Sequence, residues 1–227
     1  MNIVTIEQLR EYAEQRISAL EQGAALSPSD HALISLATTL SVTSMDGEAI
    51  KYAIATAFDA GATVVQVQEI AALVSGLGTH TLMASATVIV TLASERGLLE
   101  SEIVFDGDRQ KLWDTYVGDD SFWVSFSSEL PGFLEALLYL SPEMFVAFFA
   151  YCAIPWQSGQ VSAHVKELAA MACDIMPSHR FGPGFRVHLA NAIKLGVGRS
   201  AIMESINIAS AAPEPVGYDC LGHCHIN

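Results

Sequence analysis

A glutamate and a histidine in the last third of the sequence have the types and the spacing of a proton-transfer pair. Glu167 and His188 each lie beside an apolar stripe with the periodicity of an α-helix. If these two helices pack antiparallel, the carboxylate and the imidazole can meet inside the protein. Each group would then shift the pKa of the other, which suits the pair to moving protons. The alternative is a buried histidine whose glutamate partner has a purely structural role.

Three further residues near the same loop are candidate ligands for an anion. Arg180 and Arg186 flank the start of the second helix, and His179 lies between the two helices. Arginine recognises carboxylates through paired N–H donors, so these residues predict a substrate-binding role for a carboxylate or another anion. Ordinary surface salt bridges explain the two arginines equally well.

The composition restricts the partners and the fold class. The chain has 227 residues, of which 25 are acidic and 11 basic, for a formal net charge of −14. A surface this negative repels phosphate backbones, so we expect no nucleic-acid partner. Half of the residues are apolar, and alanine, leucine and isoleucine dominate long stretches. This pattern favours packed helices over sheets and predicts a mainly helical fold.

The N-terminal residues and the cysteines predict a cytoplasmic location. No basic segment precedes the first apolar residues, and Glu7 soon interrupts them, so we predict no signal peptide. Without a secretion signal, reduced thiols are expected. The sequence contains four cysteines: Cys152, Cys173, Cys220 and Cys224.

The C-terminal tail is rich in residues that bind soft metals. It contains Cys220, His223, Cys224 and His225, but these ligands are too crowded for one conventional site. We therefore predict neither a structural metal nor a cofactor. Cys173, two turns after Glu167, is interpreted as a small buried residue, with a thiol role as the alternative.

An internal repeat emerges when the sequence is shifted by 135 residues without a gap. Identical residues then coincide, among them Ser27 with Ser162, Gly47 with Gly182, Gly61 with Gly196 and Glu69 with Glu204. The positions of Glu167 and His188 are occupied in the first copy by Ala32 and Ala53. The repeated unit therefore does not need an acid or an imidazole at these positions, which favours a functional role for the pair.

The repeat predicts three segments along the chain. Residues 1–94 form a degenerate N-terminal helical repeat, residues 95–131 a linker with short helices, and residues 132–227 the repeat that carries the candidate site. The stretch from Ile70 to Ser94 lacks formal charge and is long enough to cross a membrane. Glycines and polar residues interrupt its middle, so we interpret it as two buried helices joined by a turn and expect no membrane partner.

At these residues the sequence resembles the carboxymuconolactone decarboxylase family, which includes alkylhydroperoxidase D. The resemblance extends over about residues 26–90 and 132–212. Its motifs in the second copy are Lys166-Glu167-Leu168, His188, the segment from Ala192 to Gly196, and Glu204. Ser141–Phe145 and Pro155–Gly159 resemble the segments that precede these motifs in members with two repeats. The first copy matches through Asp59–Thr63 and Gln68–Ile70, without the glutamate and the histidine.

The resemblance implies an all-α fold of two tandem helical repeats of the alkylhydroperoxidase D-like type, in a homo-oligomer, either a trimer or a hexamer. It also implies two chemistries. Decarboxylase members act on an acidic lactone, where acid–base residues manage the loss of a carboxylate and the reprotonation. Peroxidase members use a Cys-x-x-Cys thiol pair served by a glutamate–histidine relay. In this chain the corresponding segment, Met176–Gly182, lacks both cysteines, so the dithiol mechanism is not expected.

We therefore predict a decarboxylase-like lyase that performs acid–base chemistry on a small anionic organic molecule. Glu167 would serve as the base or relay, His188 as the proton donor, and Arg186 or Arg180 as the anion ligand. One alternative is an antioxidant alkylhydroperoxidase that uses Cys173 or a tail cysteine. Another is a non-catalytic binding or scaffold protein.

Overall fold

A computed structural model describes residues 4–43, 46–100 and 102–212, and in these residues the fold is entirely helical. The chain divides into two compact units. The first unit comprises residues 1–77 and 155–227, and the second comprises residues 78–154. The helices of the described residues are α1 (Ile6–Ile17), α2 (Pro28–Leu40), α3 (Gly47–Asp59), α4 (Val64–Ser75), α5 (His80–Glu95), α6 (Gly107–Tyr116), α7 (Ser121–Glu129), α8 (Phe133–Leu140), α9 (Pro142–Gln157), α10 (Ala163–Ile175), α11 (Gly182–Lys194) and α12 (Arg199–Ser210).

The first unit is built around two central helices, α2 and α10. These helices pack against each other, α2 also packs on α3, α4 and α12, and α10 on α4, α11 and α12. Their apolar side chains form one continuous core with residues of α1, and Ile34, Leu36, Met171 and Ile175 are among its fully buried members. Because α10 is buried on most of its circumference, polar side chains on it must find partners inside the protein.

The bounds of six helices recur at the predicted offset of 135 residues. Helices α2, α3 and α4 begin and end at positions whose counterparts begin and end α10, α11 and α12. Ser27 and Ser162 cap α2 and α10 in the same way, each accepting from a backbone N–H three residues later. Local sequence signals thus set the same lengths twice. These coincidences support the predicted repeat.

A contact between two equivalent residues supports the same interpretation. The hydroxyl oxygens of Thr43 and Ser178 are 2.9 Å apart and 135 positions apart in sequence. Equivalent positions can touch one another only close to an axis that relates the two copies. The packing of α2 on its own counterpart α10 has the same meaning. We infer an approximate two-fold axis within the first unit.

The second unit is held together by aromatic side chains. Phe133, Phe145 and Phe148 are almost completely buried, and the rings of Phe133 and Phe148 meet edge to face with centroids 5.5 Å apart. Within this unit α8 packs against α5 and α6. Ser141 separates α8 from α9, so the apolar stretch from Phe133 onward forms two helices. The break lies here because Pro142 disfavours a helical backbone at the residue before it.

The boundaries of the two compact units differ from those of the three predicted segments, which were residues 1–94, 95–131 and 132–227. The second unit contains α5 from the predicted first segment, and α8 and most of α9 from the predicted last segment. Sequence repetition locates equivalent helices, whereas compactness depends on which helices pack together. The predicted linker does contain two short helices, α6 and α7.

Two buried helices joined by a turn were predicted between Ile70 and Ser94. The turn is present, but the second helix is not buried. A 3₁₀ turn at Gly76–Thr79 joins α4 to α5, but Ala86 is the one buried residue of α5, and Val88, Ile89 and Leu92 are exposed. The helical stretch Val64–Glu95 is long and apolar enough, by length and composition alone, to cross a membrane, and 17% of its most apolar window is buried. An apolar sequence therefore did not determine burial in this chain.

Candidate functional site

Two adjacent helices of the first unit carry the candidate pair. Helix α10 begins after its cap Ser162 and buries Glu167 between Val165 and Leu168. Helix α11 begins at Gly182-Pro183, where proline suits a first turn because its missing N–H would have no partner within the helix. The loop between them is short, and the two helices pack closely against each other. This hairpin brings the inner faces of both helices together.

The structure brings Glu167 and His188 into direct contact. His188 Nδ1 lies 2.7 Å from Glu167 Oε2. The second oxygen, Oε1, accepts a hydrogen bond of 3.2 Å from Asn191 Nδ2, one turn further along α11. Both oxygens of the Glu167 carboxylate therefore contact side chains of α11. Because Asn191 holds the carboxylate in place, the carboxylate in turn fixes the orientation of the His188 imidazole. The Glu167 side chain is 8% exposed and that of His188 is 23% exposed, so the pair is shielded but reachable.

The surroundings of His188 favour its protonated form. Burial alone would lower the pKa of the imidazole, because the charged form loses hydration. The hydrogen bond and the charge of Glu167, together with the charge of Asp174, outweigh this effect and raise the pKa of His188 above its ordinary value. With Nδ1 held by Glu167, Nε2 is the atom available to give or take a proton.

A second acid, Asp174, lies on the other side of His188. Its carboxylate is buried, with Oδ2 4.0 Å from His188 Nε2 and Oδ1 3.8 Å from His179 Nε2. Burial raises the pKa of Asp174 to about 7, although the charge of His188 acts in the opposite direction. Burial also lowers the pKa of His179. Both distances exceed a direct hydrogen bond, so proton transfer along this row needs a bridging water or substrate atom.

Two further polar residues of the site, Asp174 and Asn191, are not among those predicted from the sequence. Asp174 is two helical turns after Glu167, and Asn191 is one turn after His188, so each shares a face with the residue already selected. The repeat offered a second signal, because the equivalent residues of the first copy are Thr39 and Thr56. Each of the two residues could have been found in the sequence by two criteria together. It lies on the same helix face as a candidate acid or base, and it differs from its counterpart in the first copy.

Space for Asp174 depends on a glycine in α11. A Cβ atom at Gly184 would overlap Oδ2 of Asp174 and would lie 3.0 Å from its Cγ and 2.9 Å from Cδ1 of Phe181. In the first copy the equivalent residue is Ala49, and it is accompanied by Thr39 in place of the aspartate. The acid and the glycine that accommodates it therefore occur together in one repeat and are both replaced in the other.

The two arginines are carried by α11 and by the loop before it. Arg186 precedes His188 by two residues on α11, so the two side chains leave the helix in nearly opposite directions. Its guanidinium lies next to Gly182, where a Cβ would be 3.1 Å from Nη1 and 3.8 Å from Leu9 of α1. Arg180 is exposed and has a left-handed backbone with φ of 50°. His179 is the predicted substrate ligand that lies beside the acidic residues.

The two described cysteines are poorly suited to thiolate chemistry. Cys173 is completely buried, and burial together with the neighbouring Asp174 raises the pKa of its thiol far above the ordinary value. Burial raises the pKa of Cys152 to about 11. A reactive cysteine needs the opposite shift, because the thiolate is the nucleophile. The predicted soft ligands Cys220, His223, Cys224 and His225 lie outside the described residues.

These features define the class of protein: the chain has the all-α fold of carboxymuconolactone decarboxylase-like proteins. It is similar to the crystal structure of a protein from Burkholderia xenovorans assigned as a gamma-carboxymuconolactone decarboxylase subunit, with a TM-score of 0.70 and 27% identity. The match covers 90% of this chain and 78% of that chain. The predicted resemblance to this family is thus confirmed. No family model matches the chain, and no curated protein matches it.

Proposed function

We propose that this protein is a carboxymuconolactone decarboxylase-like lyase that transfers protons to and from a small anionic organic substrate. The observation that supports the proposal is the 2.7 Å contact between Glu167 and His188 in a shielded hairpin, flanked by Asp174. The similar protein from Burkholderia xenovorans is assigned to such a decarboxylase. Extending that activity to this chain is part of the proposal.

The proposed reaction needs one proton donor and a carbonyl group in the substrate. The C–C bond to the carboxylate breaks, carbon dioxide leaves, and the bonding electron pair moves into the neighbouring lactone carbonyl as an enolate. His188 then donates the Nε2 proton to the carbon that lost the carboxylate, and the electron pair returns to form the new C–H bond. Glu167 stabilises the imidazolium before the transfer, and His188 regains its proton from solvent through Asp174 or a water.

The raised pKa values suit this role. An imidazole kept protonated by Glu167 is ready to donate, and Asp174, with a pKa of about 7, can exchange a proton near neutral pH. His179 contributes to binding beside Asp174. Arg180 or Arg186 would complete the anion site. The predicted homo-oligomer, a trimer or hexamer, remains part of this proposal.

The decisive experiment is decarboxylation of γ-carboxymuconolactone, and of a panel of related acidic lactones, by the wild type and by His188→Ala. Loss of the proton donor should lower kcat/KM by about 10²- to 10³-fold. The matched control is Ala53→Gly, at the equivalent position of the first copy, which should retain activity. Circular dichroism verifies that both variants fold. If His188→Ala turns over every responsive substrate at the wild-type rate, the assignment of the donor is wrong.

The structure gives less support to the alkylhydroperoxidase alternative. Its described candidate, Cys173, is buried and has a raised thiol pKa, so peroxide cannot reach it and no thiolate is present to attack the peroxide. Intact-mass measurement after peroxide treatment tests the remaining possibility, which is that a tail cysteine reacts with peroxide. Rapid oxidation of a tail cysteine coupled to peroxide turnover would favour this alternative over the decarboxylase. The binding-protein alternative predicts tight binding of an acid without turnover.

A further inference from the structure

A cavity in the first unit is lined by residues other than Glu167 and His188. It has a volume of about 540 Å³ and lies between α2 and α12. Its polar lining includes His31, Thr38 and Thr39 of α2, and Glu204 and Asn207 of α12. The two threonines are buried, whereas His31 and Asn207 are exposed, so the cavity extends from solvent into the protein.

The repeat shows what occupies the equivalent place between α10 and α4. At the offset of 135 residues, His31 corresponds to Lys166 and Glu204 corresponds to Glu69. The Lys166 ammonium forms a buried ion pair with Glu69 Oε1 and donates a hydrogen bond of 2.7 Å to the carbonyl of Pro155. It also lies 5.6 Å from the centre of the Trp156 ring. The equivalent space between α10 and α4 is therefore filled by a primary ammonium group.

Both glutamates are anchored by the same backbone contact. Val161 N donates to Glu69 Oε2 over 3.2 Å, and Leu26 N donates to Glu204 Oε2 over 2.9 Å. Leu26 and Val161 are themselves equivalent positions of the two copies. The oxygen of Glu204 that corresponds to the lysine-binding oxygen of Glu69 is consequently Oε1. The histidine that replaces the lysine is shorter, and its Nδ1 is 3.5 Å from Ser35 Oγ.

We propose that this cavity binds the ammonium group of a small primary amine in the position equivalent to that of the Lys166 ammonium between α10 and α4. Glu204 provides the negative charge for the ammonium group, as Glu69 does for Lys166. Ile208 and Ala212 line the cavity and contact an alkyl chain. The net charge of −14 raises the local concentration of cations.

The probe is n-butylamine, which reproduces the lysine side chain and is protonated at pH 8. Ligand-observed NMR titration of the full chain at low ionic strength should show saturable 1:1 binding, with Kd on the order of 1–10 mM. Glu204→Gln should weaken binding at least tenfold. His31→Lys should abolish it, because the attached ammonium occupies the same place. n-Butanol should not bind.

The controls separate this site from general attraction to an acidic surface. Glu14→Gln removes an exposed carboxylate that does not line the cavity and should leave binding unchanged. If Glu204→Gln fails to fold, His31→Lys compared with His31→Gln still decides the question. Non-saturable binding, or equal affinity in the wild type and His31→Lys, overturns the proposal. Lactone turnover is measured separately, so its failure has no bearing on this cavity.

Discussion

The two sets of equivalent helices, α2–α4 and α10–α12, have the same lengths and different interiors. In α10 and α11 the facing positions hold Glu167 and His188, whereas α2 and α3 hold Ala32 and Ala53 there. The same fold thus accommodates either a proton-transfer pair or two methyl groups. This difference shows that the pair is not required for packing, and it supplies a matched control position for each residue of the site.

The glutamates Glu69 and Glu204 differ in the opposite sense, because here the glutamate of the first copy is the one in a buried charged pair. Glu69 binds a buried lysine and a loop, including Ser158 and the backbone N–H groups of Gln160 and Val161. Burial would raise the pKa of Glu69, but these contacts outweigh it and lower the pKa. Glu204 keeps the backbone contact and lines a cavity. One copy therefore uses its glutamate for stability, and the other leaves it accessible.

The largest effect is expected at Lys166. Lys166→Met leaves the Glu69 carboxylate buried without its cation, which should lower the free energy of unfolding by about 3–5 kcal/mol. His31→Met, at the equivalent exposed position, should change it by about 0.5 kcal/mol or less. Urea denaturation followed by circular dichroism measures both. Equal changes in the free energy of unfolding at the two positions would show that the buried Lys166–Glu69 pair stabilises the protein no more than His31 does.

The next effect concerns the pH dependence of stability. Asp174 has a folded-state pKa of about 7 against an ordinary value of 3.8, so between these values the folded protein binds more protons than the unfolded chain. Its contribution to stability therefore decreases as pH rises from about 4 to 7, by an amount on the order of 4 kcal/mol. His188, whose pKa is also raised, acts in the same direction: its stabilisation is present below pH 6.5 and is lost as pH rises through the folded pKa.

Asp174→Thr introduces the residue that stands in the first copy and removes this dependence. The free energy of unfolding, measured in urea at several pH values, should fall less steeply with pH in the variant than in the wild type. Taking the difference between the two proteins cancels contributions of other carboxylates such as Glu69. Parallel curves would contradict the raised pKa.

A smaller effect is expected when the partner of His188 is changed. Glu167→Gln removes the charge that raises the pKa of the imidazole but keeps a hydrogen-bonding side chain. We expect kcat to fall by about 10- to 100-fold, and the alkaline limb of the pH–rate profile to move to lower pH, because a donor of lower pKa loses its proton earlier. A lower rate with an unchanged profile would indicate a structural role for Glu167.

The smallest effect tests the fit between Asp174 and Gly184. Gly184→Ala should destabilise the protein by about 1–2 kcal/mol, because the new methyl group overlaps the buried carboxylate. Combining it with Asp174→Thr recreates the Thr–Ala pair of the first copy and should recover most of the loss. A double-mutant cycle from thermal denaturation measures this coupling. Additive effects would mean that the two positions are independent.

The sequence by itself determined the features that depend on neighbouring residues. Caps such as Ser27 and Ser162, the capping box of Thr63 with Gln66, and the left-handed glycines at Gly61 and Gly196 set the helix ends. The repeat then identified Glu167 and His188 as departures from a common pattern. These signals are local or periodic, so a single sequence carries them.

Tertiary packing alone decided the remaining features. It placed Asp174 within 4.0 Å of His188, directed Arg186 toward the side of α11 that faces Leu9, and left Val88 and Ile89 of an apolar helix exposed. Each of these outcomes depends on how one helix is rotated and positioned against another. That arrangement follows from the packing of side chains distant in sequence, which composition and periodicity do not encode.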